Sequence, residues 1–309
     1  MKNKTNFMTK TWVIVVGAMI CCTLWGSAFP CIKIGYRMME IAAADTASQI
    51  LYAGYRFTLA GVLTIVLGSI LQRKILLPKR SAIGKIGLLS LLQTVLQYLF
   101  FYIGLAHTTG VKASIIEAVS TFVAILVAGY LFHQETVTSR KMLGCLIGFA
   151  GVVLVNVAGS GMDFHFSPAG DGCILLSTVA YAFSSVCMKR FSQKEDPVML
   201  SGYQFILGGI VIIACGGAMG GHLKAFTASA AALLIYMAMI SAVAYSLWGM
   251  LLKYNPVSKV TVFGFMNPVI GVILSALLLD ETEALGVSSV LALGLVCVGI
   301  YIVNAKAKE

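Results

Sequence analysis

Ten apolar stretches, each about as long as a bilayer core is thick, dominate this chain of 309 residues. They run from Trp12 to Gly35, Ala47 to Leu71, Ile86 to Ala106, Ala113 to Phe132, Met142 to Val157, Cys173 to Met188, Met199 to Ala218, Ala230 to Leu252, Val260 to Leu279 and Gly286 to Val303. A hydrocarbon core of about 30 Å is crossed by roughly 20 helical residues. Only helices and closed barrels satisfy their backbone polar groups in lipid. The alternation of a barrel strand is missing, so the pattern predicts an all-α integral membrane protein with ten transmembrane helices. Composition excludes a water-soluble fold: 59% of residues are hydrophobic, 11% are charged and the mean hydropathy is +0.92.

The first apolar run is too long for the h-region of a signal peptide and no small-residue cleavage site follows, so it is expected to stay as a helix. Eight cysteines lie inside the spans without a CxxC pair, which fits small packing residues. The four histidines occur singly near span ends, not at the i,i+4 spacing that points two ligands at one metal. No metal and no cofactor is expected.

A formal net charge of +10 invites a nucleic-acid partner, but the charges sort by loop instead. With the amino terminus in the cytoplasm, 17 of the 22 Lys and Arg residues fall on the inner side. These are Lys2, Lys4, Lys10, Arg73, Lys74, Lys79, Arg80, Lys85, Arg140, Lys141, Lys189, Arg190, Lys194, Lys253, Lys259, Lys306 and Lys308. Lys33, Arg37, Lys112 and Lys224 fall outside, and Arg56 lies within a span. This bias predicts a multi-pass protein of the cytoplasmic membrane with both termini cytoplasmic, no nucleic-acid partner, and lipid as its main neighbour.

The two halves resemble one another. Tyr55-Arg56-Phe57 with Gly61 aligns with Tyr203-Gln204-Phe205 and Gly209 at a shift of 148 residues, as does Gly151 to Asn156 with Gly299 to Asn304. Glu135-Thr136 matches Glu281-Thr282 at 146, and Cys31 and Lys33 match Cys187 and Lys189 at 156. The expected units are residues 11–158 and 170–304. Five spans per unit make the second enter the membrane upside down, an inverted repeat. Such halves can trade conformations and open a shared cavity to each side in turn.

Leu24-Trp25-Gly26-Ser27-Ala28-Phe29, Tyr55-Arg56-Phe57, Asn267-Pro268, Glu135, Leu279-Asp280-Glu281, Gly151 and Gly299 in this order resemble the drug/metabolite transporter superfamily, specifically its EamA-type branch. The resemblance implies ten helices in two EamA units and movement of a small polar metabolite without ATP hydrolysis. One departure is visible: Thr121-Phe122 stand where the family's fourth span carries a proline, which predicts an unbroken helix there.

Glu117 is the single acidic residue placed well inside a span, and Arg56 the deepest cation. A charge in the membrane costs several kcal/mol unless paired or hydrated, so each is a functional candidate. Counted from the outer ends of spans two and four, Arg56 lies roughly 13 Å deep and Glu117 roughly 9 Å. They are expected to line one cavity, either as an ion pair or against the opposite charges of a zwitterionic substrate; a pair that only fixes helix packing is the alternative. Their repeat counterparts read as Gln204 and Phe263, so the scaffold itself does not require the charges. Glu117 is also the candidate carrier of a coupling proton.

Gly26, Pro30 and Asn267-Pro268 weaken spans one and nine, freeing backbone carbonyls that line cavities elsewhere or only kink a helix. Around them, Trp25, Gln93, Gln97, Tyr98, Tyr102, Tyr245 and Trp248 complete the candidate substrate site with Arg56, Glu117 and Asn267. Gln93 and Gln97 share a helix face, and the rings suit a flat substrate or core packing. Gly144 and Gly148 form a GxxxG for close helix contact, either within a monomer or in a homodimer.

The chain thus reads as a secondary transporter of an amino acid or related compound. Efflux of hydrophobic cations by the same fold is the alternative. A membrane enzyme lacks an SxxK dyad or paired intramembrane carboxylates, and a channel lacks a ring of charges.

Overall fold

The computed structural model describes residues 7–157, 166–223, 227–279 and 287–305. Lys2, Lys4, Lys224, Asp280, Glu281, Thr282, Gly286, Lys306 and Lys308 lie outside them. Ten helices are long and apolar enough to cross a membrane: α1 (Thr11–Met38), α2 (Thr46–Leu71), α3 (Arg80–Leu105), α4 (Lys112–Leu131), α5 (Ser139–Val157), α6 (Pro168–Ser192), α7 (Pro197–Ala218), α8 (Ala228–Tyr254), α9 (Val257–Leu274) and α10 (Val287–Asn304). Side-chain caps mark several starts. Asp45 accepts from Ser48 N at 3.0 Å, Thr109 from Lys112 N at 3.2 Å, and Asp196 from Val198 N and Met199 N at 2.9 and 3.0 Å, each satisfying amides that a helix start leaves unbonded.

Four helices depart from α geometry. Ser90–Leu96 of α3, Val127–Leu131 of α4 and Pro168–Gly172 at the start of α6 are π-helical, and Val262–Phe265 of α9 is a 3-10 turn. The α6 start therefore precedes the expected Cys173, because Pro168 needs no amide partner in a first turn. The expectation of an unbroken fourth span is corrected. The α-helix of α4 stops at Ala118 and resumes at Ser120, with Val119 N bonded to Ile116 O at 3.0 Å. An i→i−3 bond tightens the backbone there without a proline.

Packing partners exchange between the halves. Helix α1 packs on α8 and α9, and α6 packs on α3 and α4, while α2 pairs with α7 and α5 with α10. The glycines at the last two crossings make this a residue-level correspondence. A Cβ on Gly61 would lie 2.6 Å from Gly202 O, and one on Gly209 3.0 Å from Gly54 O. Likewise a Cβ on Gly151 would lie 2.7 Å from Ala292 O, and one on Gly299 2.5 Å from Gly144 O. Adding 148 to one member and subtracting it from the other converts each contact into its mate, the signature of a two-fold relation between the halves. The Gly144 and Gly148 face is filled by Gly299, Val303 and Phe265 of the same chain, so the GxxxG serves the monomer's own packing and not a homodimer contact.

Outside this core the surface is apolar, with Val16, Ile20, Ile70, Leu146 and Val290 exposed, as a lipid-facing surface requires.

Candidate functional site: a cavity on the two-fold axis

A cavity of about 160 Å³ opens among α1, α2, α3, α4, α6, α8 and α9. Its wall includes Trp25, Arg56, Gln97, Tyr98, Tyr102, Glu117, Tyr245 and Asn267. Two expected members, Gln93 and Trp248, are outside the lining although both are buried. Gln93 lies one turn, roughly 6 Å, farther along α3 from the lining residues. Trp248 stands behind Trp25, edge-on at 5.0 Å, supporting the ring that faces the cavity.

The two-fold relation passes through this wall. In α3 a π turn accommodates one residue more than an α turn, reducing the repeat shift from 148 to 147 beyond it. Hydrogen bonds fix the register there: Cys22 Sγ bonds to Phe263 O at 3.2 Å and Thr178 Oγ1 to Ile116 O at 3.4 Å. Phe263 is therefore the mate of Ile116, and Glu117 pairs with Gly264 at a shift of 147, not with Phe263, which a shift of 146 gives. Both members of the pairs Trp25/Tyr181, Tyr98/Tyr245, Ser114/Thr261, Glu117/Gly264, Ser120/Asn267 and Thr121/Pro268 line the cavity. Tyr98 and Tyr245, exchanged by the relation, bond hydroxyl to hydroxyl at 2.9 Å.

Arg56 and Glu117 share the cavity, but among the described residues they form no ion pair. The Arg56 guanidinium donates from Nη2 to Ser241 Oγ at 3.0 Å and stands 5.2 Å from the Phe57 ring centre. The Gln204 counterpart repeats the tether in neutral form, accepting from Thr94 Oγ1 at 2.5 Å. The Glu117 side chain carries no hydrogen bond among the described residues and shares its wall with Ser114, Ser120 and Thr121.

Several buried polar atoms in the wall lack a protein partner among the described residues: the donors Arg56 Nε and Trp25 Nε1, and the acceptors Gln97 Oε1 and Asn267 Oδ1. Buried polar groups are normally hydrogen-bonded, so orphaned ones facing a cavity mark places where a ligand or water bonds. Sequence reasoning missed Ser177, Thr178 and Tyr181 of α6. Tyr181 was reachable, since it is the mate of Trp25 at the 156 shift already visible in Cys31 and Cys187.

By their register along the helices, most of the lining residues lie between mid-span and the end of the bundle that holds the α1–α2 connection, with Thr261 nearer the other end. A polar knot gathers at the other end. Glu135, beyond α4, accepts from Ser258 N at 3.0 Å, Ser258 Oγ at 2.5 Å and Lys141 Nζ at 2.9 Å. Lys189 Nζ binds Leu252 O at 3.2 Å and also Asn255 O. Lys85 pairs with Glu195 at 2.6 Å.

The description of the EamA-like transporter family matches residues 12–157 and again 168–305. A protein of Archaeoglobus fulgidus named as an uncharacterized transporter is 28% identical over 306 residues, 96% of this chain and 99% of its own. An Escherichia coli K12 protein named uncharacterized inner membrane transporter YedA is 28% identical over 295 residues, covering 92% of this chain and 90% of the relative. A solved crystal structure shares the fold with a TM-score of 0.77, at 16% identity, over 94% of this chain and 96% of that one. With both halves matched by one family, the chain belongs to the EamA-like transporters and is a multi-pass membrane transporter of small molecules.

Proposed function

We propose that this transporter carries a small zwitterion, an amino acid or close relative, by alternating access through the central cavity. The observation that carries the reading is the presence in one wall of two opposite poles that do not neutralise each other. Arg56 Nε and Trp25 Nε1 offer donors to a carboxylate. Gln97 Oε1, Asn267 Oδ1 and the Glu117 carboxylate offer acceptors to an ammonium group. Arg–carboxylate hydrogen bonds are among the strong ones in a dry site, and the rings of Tyr98, Tyr102 and Tyr245 suit an apolar or aromatic side chain.

Cavity size supports the same choice. About 160 Å³ is well below the roughly 300–1,000 Å³ of drug-sized sites. A hydrophobic cation, the alternative cargo, would also face the Arg56 charge. Ten crossings with five in each half make the two-fold axis lie in the membrane plane, the geometry of inverted repeats. The positive-inside bias supports cytoplasmic termini, and with that orientation the cavity lies toward the outer face. Glu117 is the one lining residue able to bind and release a coupling proton.

Counterflow in proteoliposomes against a panel of amino acids, with and without a pH gradient, tests this. Saturable exchange of at least one neutral amino acid, lost on simultaneous Arg56→Gln and Glu117→Gln substitution, is the expected result. A panel without counterflow, or undiminished transport in the double variant, removes the reading.

A further inference from the structure

We propose that this carrier is an exchanger: loaded with a carboxylate-bearing substrate it reorients, and empty it stays. The inference rests on the alternating-access reading above and adds a rule about which form of the carrier can move.

The argument starts from a break in the two-fold pattern. Glu117 and its mate Gly264 both line the cavity, as do Tyr98 and Tyr245. Arg56 lines it too, yet its mate Gln204 is fully buried, with 0% exposure, and lies outside the lining. When two similar halves trade conformations, each residue inherits the surroundings its mate had. Glu117 then stays at the cavity, whereas Arg56 passes into surroundings like those of Gln204 and Gln204 moves to the wall.

For a neutral amide those surroundings are tolerable, with the oxygen bonded and Nε2 left without a partner among the described residues. Gln204 accepts from Thr94 Oγ1 at 2.5 Å, against the stacked Phe57 and Phe205 rings. For a guanidinium they offer one hydroxyl, supplied by Ser241 as the mate of Thr94, together with two phenyl rings and no carboxylate. An uncompensated charge sealed from water is strongly unfavourable. In the state seen here Arg56, though only 4% exposed, lines the cavity, whereas Gln204 does not. A substrate carboxylate bonded to Arg56 removes the obstacle, because the charge then travels as a neutral pair. Glu117 does not serve in its place, since it forms no pair with Arg56 among the described residues although both face the same space. No bond is made or broken; the step is a gate on motion.

Two measurements test the proposal. In proteoliposomes preloaded with a counterflow-active amino acid, efflux into buffer containing the same amino acid is expected to exceed efflux into plain buffer on the order of 100-fold. Equal rates overturn the inference while leaving the transport reading intact. In substrate-free protein, a cysteine at Gln204→Cys is expected to resist a membrane-impermeant maleimide, read by mass spectrometry at that position. Addition of Arg56→Gln, which makes the two halves alike at this place, is expected to render it reactive at least tenfold faster from the face opposite the present opening. If no panel member shows counterflow, the substrate reading falls and the labelling alone decides: protection relieved by Arg56→Gln sustains the proposal, and equal labelling in both backgrounds overturns it.

Discussion

At the scale of single residues, the two charges were the most legible feature of the site because water-loving groups inside long apolar runs demand a reason. Their partners were not legible. Spacing made Arg56 and Glu117 neighbours in depth, but whether they touch depends on how α2 and α4 are rotated, which hydropathy does not encode. The hydroxyls were silent for a different reason: Thr178 returns its proton to Ile174 O at 2.8 Å within its own helix, so in sequence it looks like any small helical residue. Each charge should act separately on transport. A hydrogen bond to a charged group contributes about 1.5–3 kcal/mol. Arg56→Gln is therefore expected to raise the counterflow KM about 10- to 100-fold for amino acids and far less for the decarboxylated amine. Glu117→Gln should show the reverse selectivity and should abolish any accumulation driven by a pH gradient. An equal effect of Arg56→Gln on acid and amine would separate Arg56 from carboxylate recognition.

At the scale of elements, hydropathy located ten helices but not their irregularities. The π turns of α3 and α4 leave no composition signal, yet the one in α3 shifts the repeat register by a residue and makes Gly264 the mate of Glu117. Close helix contacts were more legible, since the glycines recur at the repeat spacing. On α2 and α7 they permit backbone-to-backbone approach. Gly61→Ala places a methyl 2.6 Å from Gly202 O, and overpacking of this kind destabilises by about 1–3 kcal/mol. Gly217→Ala, with nothing within 4 Å, is expected to be neutral or slightly stabilising because alanine favours the helix. Thermal denaturation in detergent should thus separate the two glycines; similar midpoints would mean that the α2–α7 crossing is not tight. Glu135 is visible in the sequence as a repeated acid, but its bonds to the other half are not. An acid just past a span reads as an ordinary interfacial charge, whereas its side chain is 5% exposed and serves a helix start in the other half. Removing one partner of a buried, bonded pair costs about 3–5 kcal/mol. Glu135→Ala is accordingly expected to lower the midpoint by several degrees and to loosen that end of the bundle, measured as faster amide exchange at Ser258 and its neighbours.

For the molecule as a whole, the decisive property is that a two-fold relation joins halves of five crossings each. An even number would place the axis along the membrane normal and make both halves face the same way; an odd number puts equivalent loops on opposite faces. The connection between α2 and α3 and that between α7 and α8 are equivalents in this sense. Both are exposed at Lys74 and His222. Their compositions differ in the sense the proposed orientation predicts, with Arg73, Lys74, Lys79 and Arg80 crowding the first. In a background without native cysteines, His222→Cys in intact cells is expected to react with an impermeant maleimide, and Lys74→Cys only after permeabilisation. Reaction of both from the same side would mean that one half does not cross five times. The exchange of surroundings between Arg56 and Gln204 would then lose its basis, because it requires equivalent residues to meet opposite sides of the membrane.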